Sequence, residues 1–346
     1  MVRWLWGGAG LARVARAPLI PLSGIYWALM RLRAATRPAG VRLPLPTIAI
    51  GNLSVGGTGK TPLAGWIAAY CAARGHVPGI LLRGYGGDET LVHRRLVPQA
   101  VVVADPDRVA GAAMARAQGA QVLVLDDAYQ LLAVAPDLNI VVISAESVTG
   151  SPWPLPAGPW RERWNALDRA NLIVVTRKRA SAEQAEALAG ALGHTRPAVP
   201  VCVACLALDR LEGMQSGTRR DWAALTGRRV VAAAGIADPE SFAAQLRAFG
   251  ADVQLVAYQD HHRFTPADVT RLARVAARGD NVVVTEKDAV KLRGPGRWPG
   301  DVPEPLVAVL AVRWERNGRA LEQALNDALT RPAARGSLTP DPTRAP

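Results

Sequence analysis

The stretch Thr47-Ile-Ala-Ile-Gly-Asn-Leu-Ser-Val-Gly-Gly-Thr-Gly-Lys-Thr-Pro62 decides how the rest of the chain is read. A short apolar run passes into a glycine-rich turn, then Lys60 and Thr61, then a helical pattern beginning at Leu63. This is the strand, phosphate loop and helix order of a P-loop. Gly56, Gly57 and Gly59 let backbone N–H groups turn inward around phosphate oxygens without a Cβ clash. Lys60 offers a point charge to the β- and γ-phosphates, and the Thr61 hydroxyl can ligate Mg²⁺. The following helix points its positive end at the same anion, and Pro62 is tolerated in its first turn. In the pattern G-x-x-x-x-G-K-[ST] the first position is Ser54, with Gly51 three residues earlier. The expected nucleotide-binding set is therefore Ser54, Val55, Gly56, Gly57, Thr58, Gly59, Lys60 and Thr61.

Working outward, Pro62 to Arg74 predicts a helix and Val77-Pro-Gly-Ile-Leu-Leu82 a short strand. Arg83-Gly-Tyr-Gly-Gly-Asp-Glu89 follows as a polar glycine-rich loop at a strand's C-terminal end, where ligands collect in open α/β sheets. Gln121-Val-Leu-Val-Leu125 is an apolar strand ending in Asp126-Asp127, which has the form of a Walker B carboxylate delivery. Further strands are expected at Ala100–Ala104, Asn139–Ile143 and Leu172–Val175. Strands alternating with helices predict an α/β fold with a parallel P-loop NTPase-type sheet over residues 47–194. The Pro-bounded, extended stretch 195–225 reads as a β-rich linker. A smaller C-terminal α/β unit over 226–330 follows, with strands near Val230, Asp252 and Asn281, and then a disordered Pro-, Arg- and Thr-rich tail over 331–346.

Charge is unevenly placed. The formal net charge is +12, and no Asp or Glu precedes Asp88, whereas ten Lys and Arg residues do. This asymmetry points to an anionic partner: nucleic acid, an acidic membrane surface or a phosphorylated substrate. Three cysteines give no disulfide framework, and Cys202-x-x-Cys205 lacks the second ligand pair that a zinc site needs. In residues 1–46, Leu19, Leu22, Ile25, Tyr26, Leu29 and Leu32 recur at helical spacing between arginines. The apolar portion is too short to span a bilayer, which takes about 20 residues, and Arg13 and Arg16 interrupt any signal-peptide pattern. The stripe fits a helix lying in a membrane interface, or one packed on the protein's own core.

Thr285-Glu-Lys-Asp288 has its lysine in the wrong place for the base-specific [NT]-K-x-D of GTPases. The motifs Gly51-Asn-Leu-Ser-Val-Gly-Gly-Thr-Gly-Lys-Thr-Pro62, Arg83-Gly-Tyr-Gly86, Gly87-Asp-Glu89, Asp107-Arg108, Asp126-Asp-Ala-Tyr-Gln130, Leu155-Pro-Ala-Gly-Pro159, Arg161-Glu162, Asp260-His261 and Thr285-Glu-Lys-Asp288 occur in this order. In this the chain resembles the tetraacyldisaccharide 4′-kinase (lipid A 4′-kinase) family, from the N-terminal helix to about residue 315. The resemblance implies transfer of the ATP γ-phosphate to the 4′-hydroxyl of an acylated glucosamine disaccharide 1-phosphate. It implies Mg²⁺, the cytoplasmic face of the inner membrane, and an N-terminal helix dipping into that membrane. It also implies Asp88 and His261 as the pair that activates the sugar hydroxyl, beside Lys60. Thr61, Asp126, Asp127 and Glu89 make the expected metal set. No nucleic-acid partner is expected, because the arginines lack the interleaved aromatics of a base-stacking surface. The competing reading is a membrane-associated P-loop ATPase switch, whose turnover would ignore the glycolipid. Two departures stand out: Leu131 replaces the family's histidine after Gln130, and Arg83-Gly-Tyr-Gly86 runs straight into Gly87-Asp-Glu89 without the family's longer insertion.

Overall fold

The computed structural model describes residues 5–7, 10–36, 39–84, 87–148, 151–294 and 296–330. Two N-terminal helices, α1 (Gly10–Arg16) and α2 (Ile20–Ala35), precede β1 (Thr47–Asn52), α3 (Lys60–Ala72), β2 (Pro78–Leu82), α4 (Asp88–Leu96), β3 (Val101–Ala104), α5 (Arg108–Ala117), β4 (Val122–Leu125), β5 (Leu138–Ser144), β6 (Leu172–Arg177), α6 (Ala182–Thr195) and β7 (Val201–Gly213). There follow β8 (Arg219–Arg220), β9 (Arg229–Ala234), α7 (Pro239–Ala248), β10 (Asp252–Ala257), α8 (Pro266–Ala277), β11 (Asn281–Thr285), α9 (Glu286–Leu292), β12 (Leu306–Arg316) and α10 (Gly318–Thr330).

Twelve strands form one sheet in the order β10-β9-β11-β12-β7-β6-β5-β1-β4-β2-β3, with β8 attached to β7. From β3 to β7 every pairing is parallel, and so is every pairing from β10 to β12. The two parallel blocks meet through the antiparallel pair β7 and β12. All six residues of β1 are buried, as expected of a parallel strand covered on both faces. Its Ile48 and Ile50 pack with Leu63 and Ile67 of α3, fixing that helix over the sheet. Each such side chain contributes about 1.5–3 kcal/mol on full burial. Local chemistry agrees with the element ends: Ser181 with Gln184, and Thr265 with Asp268, make capping boxes at the starts of α6 and α8.

The stretch 195–225, expected to be a β-rich linker, holds β7, a strand of the sheet. Val201–Cys205 of β7 pairs with β6, and β12 lies along β7 from Val203 to Gly213. The register slips between Val309 and Leu310, an irregularity of the kind that bends a strand. The Pro-bounded, extended segment of the sequence is thus the strand through which the two blocks become continuous. The loop expected over Arg83–Glu89 ends early, because Asp88 and Glu89 already form the first turn of α4; Tyr85 and Gly86 lie outside the described residues. The tail 331–346, expected to be disordered, also lies outside them.

The helix α2 does not pack its stripe on the core. Ser23 is its one buried residue, while Leu22, Ile25, Leu29 and Leu32 are each 50% to 60% exposed. What holds α2 is polar: Ser23 Oγ donates to Pro154 O at 2.9 Å and accepts from Ala157 N–H at 3.0 Å. Tyr26 adds a bond to Arg161 O at 3.2 Å. No helix among the described residues is long and apolar enough to cross a membrane.

Candidate active site

At the C-terminal end of β1 the chain must turn sharply, and Asn52 organises that turn. Fully buried, its amide donates to Ser54 O and to Thr58 Oγ1 (3.0 Å), while its Oδ1 accepts from Lys60 Nζ at 3.1 Å. The outer side of the loop is tied down by Val55 N–H to Pro159 O at 2.7 Å. Its inner side is held by Thr176 Oγ1 on Thr58 O at 2.8 Å and by Lys178 Nζ on Gly57 O at 2.7 Å. Gly59 has φ 92°, the left-handed region that favours glycine, and a Cβ there would also displace the Leu206 Cδ1 methyl 2.2 Å away. Thr61 lies one residue into α3, within the wall of a cavity of about 660 Å³.

β4 delivers Asp126 and Asp127 to the same cavity. Asp126 is buried against a fully buried His93, whose Nε2 lies 3.0 Å from Asp126 Oδ2. Burial alone would raise the Asp126 carboxyl, but the hydrogen bond and charge of His93, with Lys60 and Lys287, hold it below the ordinary carboxylate range. Asp126 Oδ1 is buried and has no hydrogen-bond partner among the described residues. Asp127 adopts φ 54° and meets Arg161 Nη1 at 3.2 Å and Lys60 Nζ at 3.4 Å.

Asp88 and His261 are brought together from opposite blocks. Both carboxylate oxygens of Asp88 lie 3.0 Å from His261 Nδ1, across 173 residues of sequence. Asp88 is buried, with Lys291 Nζ also 3.4 Å from Oδ2, whereas the His261 side chain is 39% exposed. Burial would raise the Asp88 carboxyl, yet the His261 bond and charge and the two nearby lysines, Lys287 and Lys291, keep it below its ordinary value. His261 itself has φ 60°, a left-handed conformation that costs a β-carbon residue free energy. It is held there by its N–H on Gly235 O at 3.1 Å, and Gly235 N–H in turn donates to the buried Asp288 Oδ2 at 3.0 Å. The remaining expected residue, Glu89, faces the cavity and pairs with Lys287 Nζ at 3.2 Å.

Against known proteins, a family profile described as tetraacyldisaccharide-1-P 4′-kinase matches residues 15–330. Relatives from Geobacter metallireducens and Anaeromyxobacter dehalogenans, both named tetraacyldisaccharide 4′-kinase, are each 38% identical over 316 and 352 residues. These alignments cover 82% and 92% of this chain, and 90% and 92% of the relatives. The chain belongs to the tetraacyldisaccharide-1-P 4′-kinase family. Its fold is also that of a solved structure, the LpxK of Aquifex aeolicus crystallised in complex with ATP, with a TM-score of 0.68 at 24% identity. That superposition covers 91% of this chain and 99% of the other.

For a member of this kinase family, the donor set also suits a magnesium ion. Mg²⁺ is usually held by one or two carboxylates, waters and substrate phosphates rather than by a full protein cage. Among the described residues no group of three or more His, Cys, Asp or Glu is placed to hold a metal ion, so Asp126, Asp127 and Glu89 do not converge as one ligand set. The unpartnered Asp126 Oδ1 is the group whose buried lone pairs a cation would satisfy. Asn52 and His93 were not singled out by sequence. Asn52 stood inside the quoted motif, but its role needs the loop's closure. His93 shows only as a polar residue in the otherwise ordinary helical run Asp88–Leu96.

Proposed function

We propose that this chain transfers the γ-phosphate of ATP to the 4′-hydroxyl of a tetraacylated glucosamine disaccharide 1-phosphate. The observation that carries the reading is the Asp88–His261 pair, which joins two separate parallel blocks and whose His261 lines the same cavity as the P-loop lysine. A P-loop alone serves any nucleoside triphosphatase; a carboxylate–imidazole pair facing it serves an acceptor with a proton to lose.

The contacts divide the labour within the pair. Asp88 is buried and faces Nδ1, which favours the tautomer carrying its proton there and leaves Nε2 as the acceptor. The exposed imidazole, rather than the buried carboxylate, is then the group that meets the sugar hydroxyl. In the step, the 4′-oxygen bonds to the γ-phosphorus as the bond to the β–γ bridging oxygen breaks. ADP leaves with that electron pair, and the hydroxyl proton passes to His261 Nε2. Asp88 stabilises the imidazolium so formed. The backbone from Gly56 to Thr61, which lines the cavity, cradles the phosphates, while Ser54 and Val55 brace the loop from outside; Lys60 leaves Asp127 and Asn52 to face the phosphate charge. Thr61 and Asp126 would hold Mg²⁺, which when bound would neutralise phosphate charge; Asp127 and Glu89, the other two expected ligands, are paired with Lys60 and Lys287.

Residues 10–36 form the membrane contact. Their exposed Leu22, Ile25, Leu29 and Leu32, with Leu11 and Val14 on α1, are apolar surface beside Arg13, Arg31 and Arg33. Such a helix suits the acidic cytoplasmic face of the inner membrane, where ATP and a lipid acceptor can meet. The basic N-terminal segment serves that surface rather than nucleic acid. ATP consumption should therefore depend on the glycolipid in mixed micelles; turnover indifferent to it would favour an ATPase switch.

A further inference from the structure

Thr285-Glu-Lys-Asp288 is only partly accounted for by the site above. Asp288 is structural: it accepts from Gly235 N–H and from Thr285 Oγ1 (2.7 Å) and pairs with Lys291. Glu286 is bound to the backbone N–H of Leu310 at 3.1 Å. Lys287 remains. It stands in the first turn of α9, in the block that carries His261, and lines the same cavity as the P-loop.

Its partner in the structure is Glu89 at 3.2 Å, next in sequence to Asp88. The Lys287 side chain is only 25% exposed. A mostly buried cation is costly unless paired. The anion that fits this cavity is the triphosphate, and the phosphoryl group to be transferred must lie beside His261, on the Lys287 side.

The geometry points to Lys287 as a second phosphate-binding lysine, which grips the γ-phosphate of ATP from the C-terminal block and holds Glu89 in its place when no nucleotide is bound. This rests on the reading of the P-loop as the ATP site and of His261 as the proton acceptor. Lys60 then holds the phosphates from one block and Lys287 from the other, so that nucleotide draws the Asp88–His261 pair onto the group being moved. Taking the phosphate also frees the Glu89 carboxylate.

The experiment is calorimetric titration of the full chain with ATP and with ADP, each with Mg²⁺ and with EDTA. A charged hydrogen bond to the γ-phosphate predicts that Lys287→Met loses about 10- to 100-fold in ATP affinity, with ADP affinity nearly unchanged. Lys287→Arg should recover part of the loss. Glu89→Gln, which releases the lysine without removing it, should raise ATP affinity in EDTA and leave ADP affinity alone. A loss shared equally by ATP and ADP in Lys287→Met, or no loss at all, overturns the inference, as does a Glu89→Gln variant that binds ATP no better. Lys60→Ala separates the two levels of the argument. It should weaken both nucleotides; if it weakens neither, the P-loop reading itself fails.

Discussion

Replacing Asp88 by Asn removes a charge and leaves the volume. The asparagine Oδ1 can still accept from His261 Nδ1, so the ring keeps its place, and Lys291 retains Asp288 as a partner at 3.3 Å. What is lost is the attraction between the carboxylate and the imidazolium formed as the hydroxyl proton arrives. With 3.0 Å between Nδ1 and either oxygen, the charge centres stand roughly 4 Å apart, which at an effective dielectric near 20 gives about 4 kcal/mol. Because about 1.4 kcal/mol is a factor of ten, kcat should fall by about 10³-fold, within the usual range for acid–base assistance. ATP affinity should hold, since Asp88 touches no residue of the P-loop. The assay is initial rate against ATP and glycolipid in mixed micelles, with nucleotide affinity measured separately. Asp88→Ala combined with His261→Ala should cost little more than the worse single change, as for groups acting as a unit. If Asp88→Asn keeps kcat within about threefold of wild type, Asp88 has no such electrostatic role. A loss confined to ATP affinity would refute it as well.

Three other perturbations test separate parts of the structure. His93→Leu strips Asp126 of its partner at 3.0 Å and should raise the Mg²⁺ concentration for half-maximal turnover about 10- to 100-fold; an unchanged magnesium profile would dismiss His93 as a positioning residue. Glu286 is pushed up to about 7 by burial, which outweighs its bond from Leu310 N–H. The folded state then keeps a proton that the unfolded chain gives up above the ordinary carboxylate value of 4.5. Stability should therefore fall as pH rises through that window, by on the order of 3 kcal/mol. Glu286→Gln should flatten the fall, visible as a higher thermal midpoint than wild type at about pH 8; parallel pH profiles would contradict this. Ile25→Glu with Leu29→Glu should weaken sedimentation with anionic vesicles at least about 100-fold, from two apolar side chains of about 1.5–3 kcal/mol each. Undiminished sedimentation would remove α2 as the anchor.

The features legible in the sequence are those whose cause is local. The P-loop is legible because phosphate binding demands glycines, a lysine and a hydroxyl at fixed offsets on one strand-to-helix turn. The β4 strand is legible because four apolar residues end in two carboxylates. Asp88 and His261 could be named only through the order of the family's motifs, since nothing near either residue says that they meet 173 positions apart. The joining of the two blocks escaped the reading for the same reason. β7 looks like a Pro-bounded extended segment, and β12, its antiparallel partner, begins 93 residues after Gly213. Their pairing is a long-range choice that periodicity does not encode. In α4, one local signal went unused: Asp88 and Glu89 in the first turn and His93, Arg94 and Arg95 in the last match the helix dipole. The glycines just before it carry the opposing signal of a loop.

The central claim is that the nucleotide cavity and the Asp88–His261 pair serve one acceptor hydroxyl. It is tested most directly by incubating the full chain with γ-labelled ATP, Mg²⁺ and the tetraacylated disaccharide 1-phosphate in mixed micelles, and locating the label on the product. The account predicts label on the 4′-oxygen, formed in step with ADP and lost together with ADP formation in His261→Ala. Label appearing only as free phosphate, at a rate that ignores the glycolipid and survives His261→Ala, would contradict it.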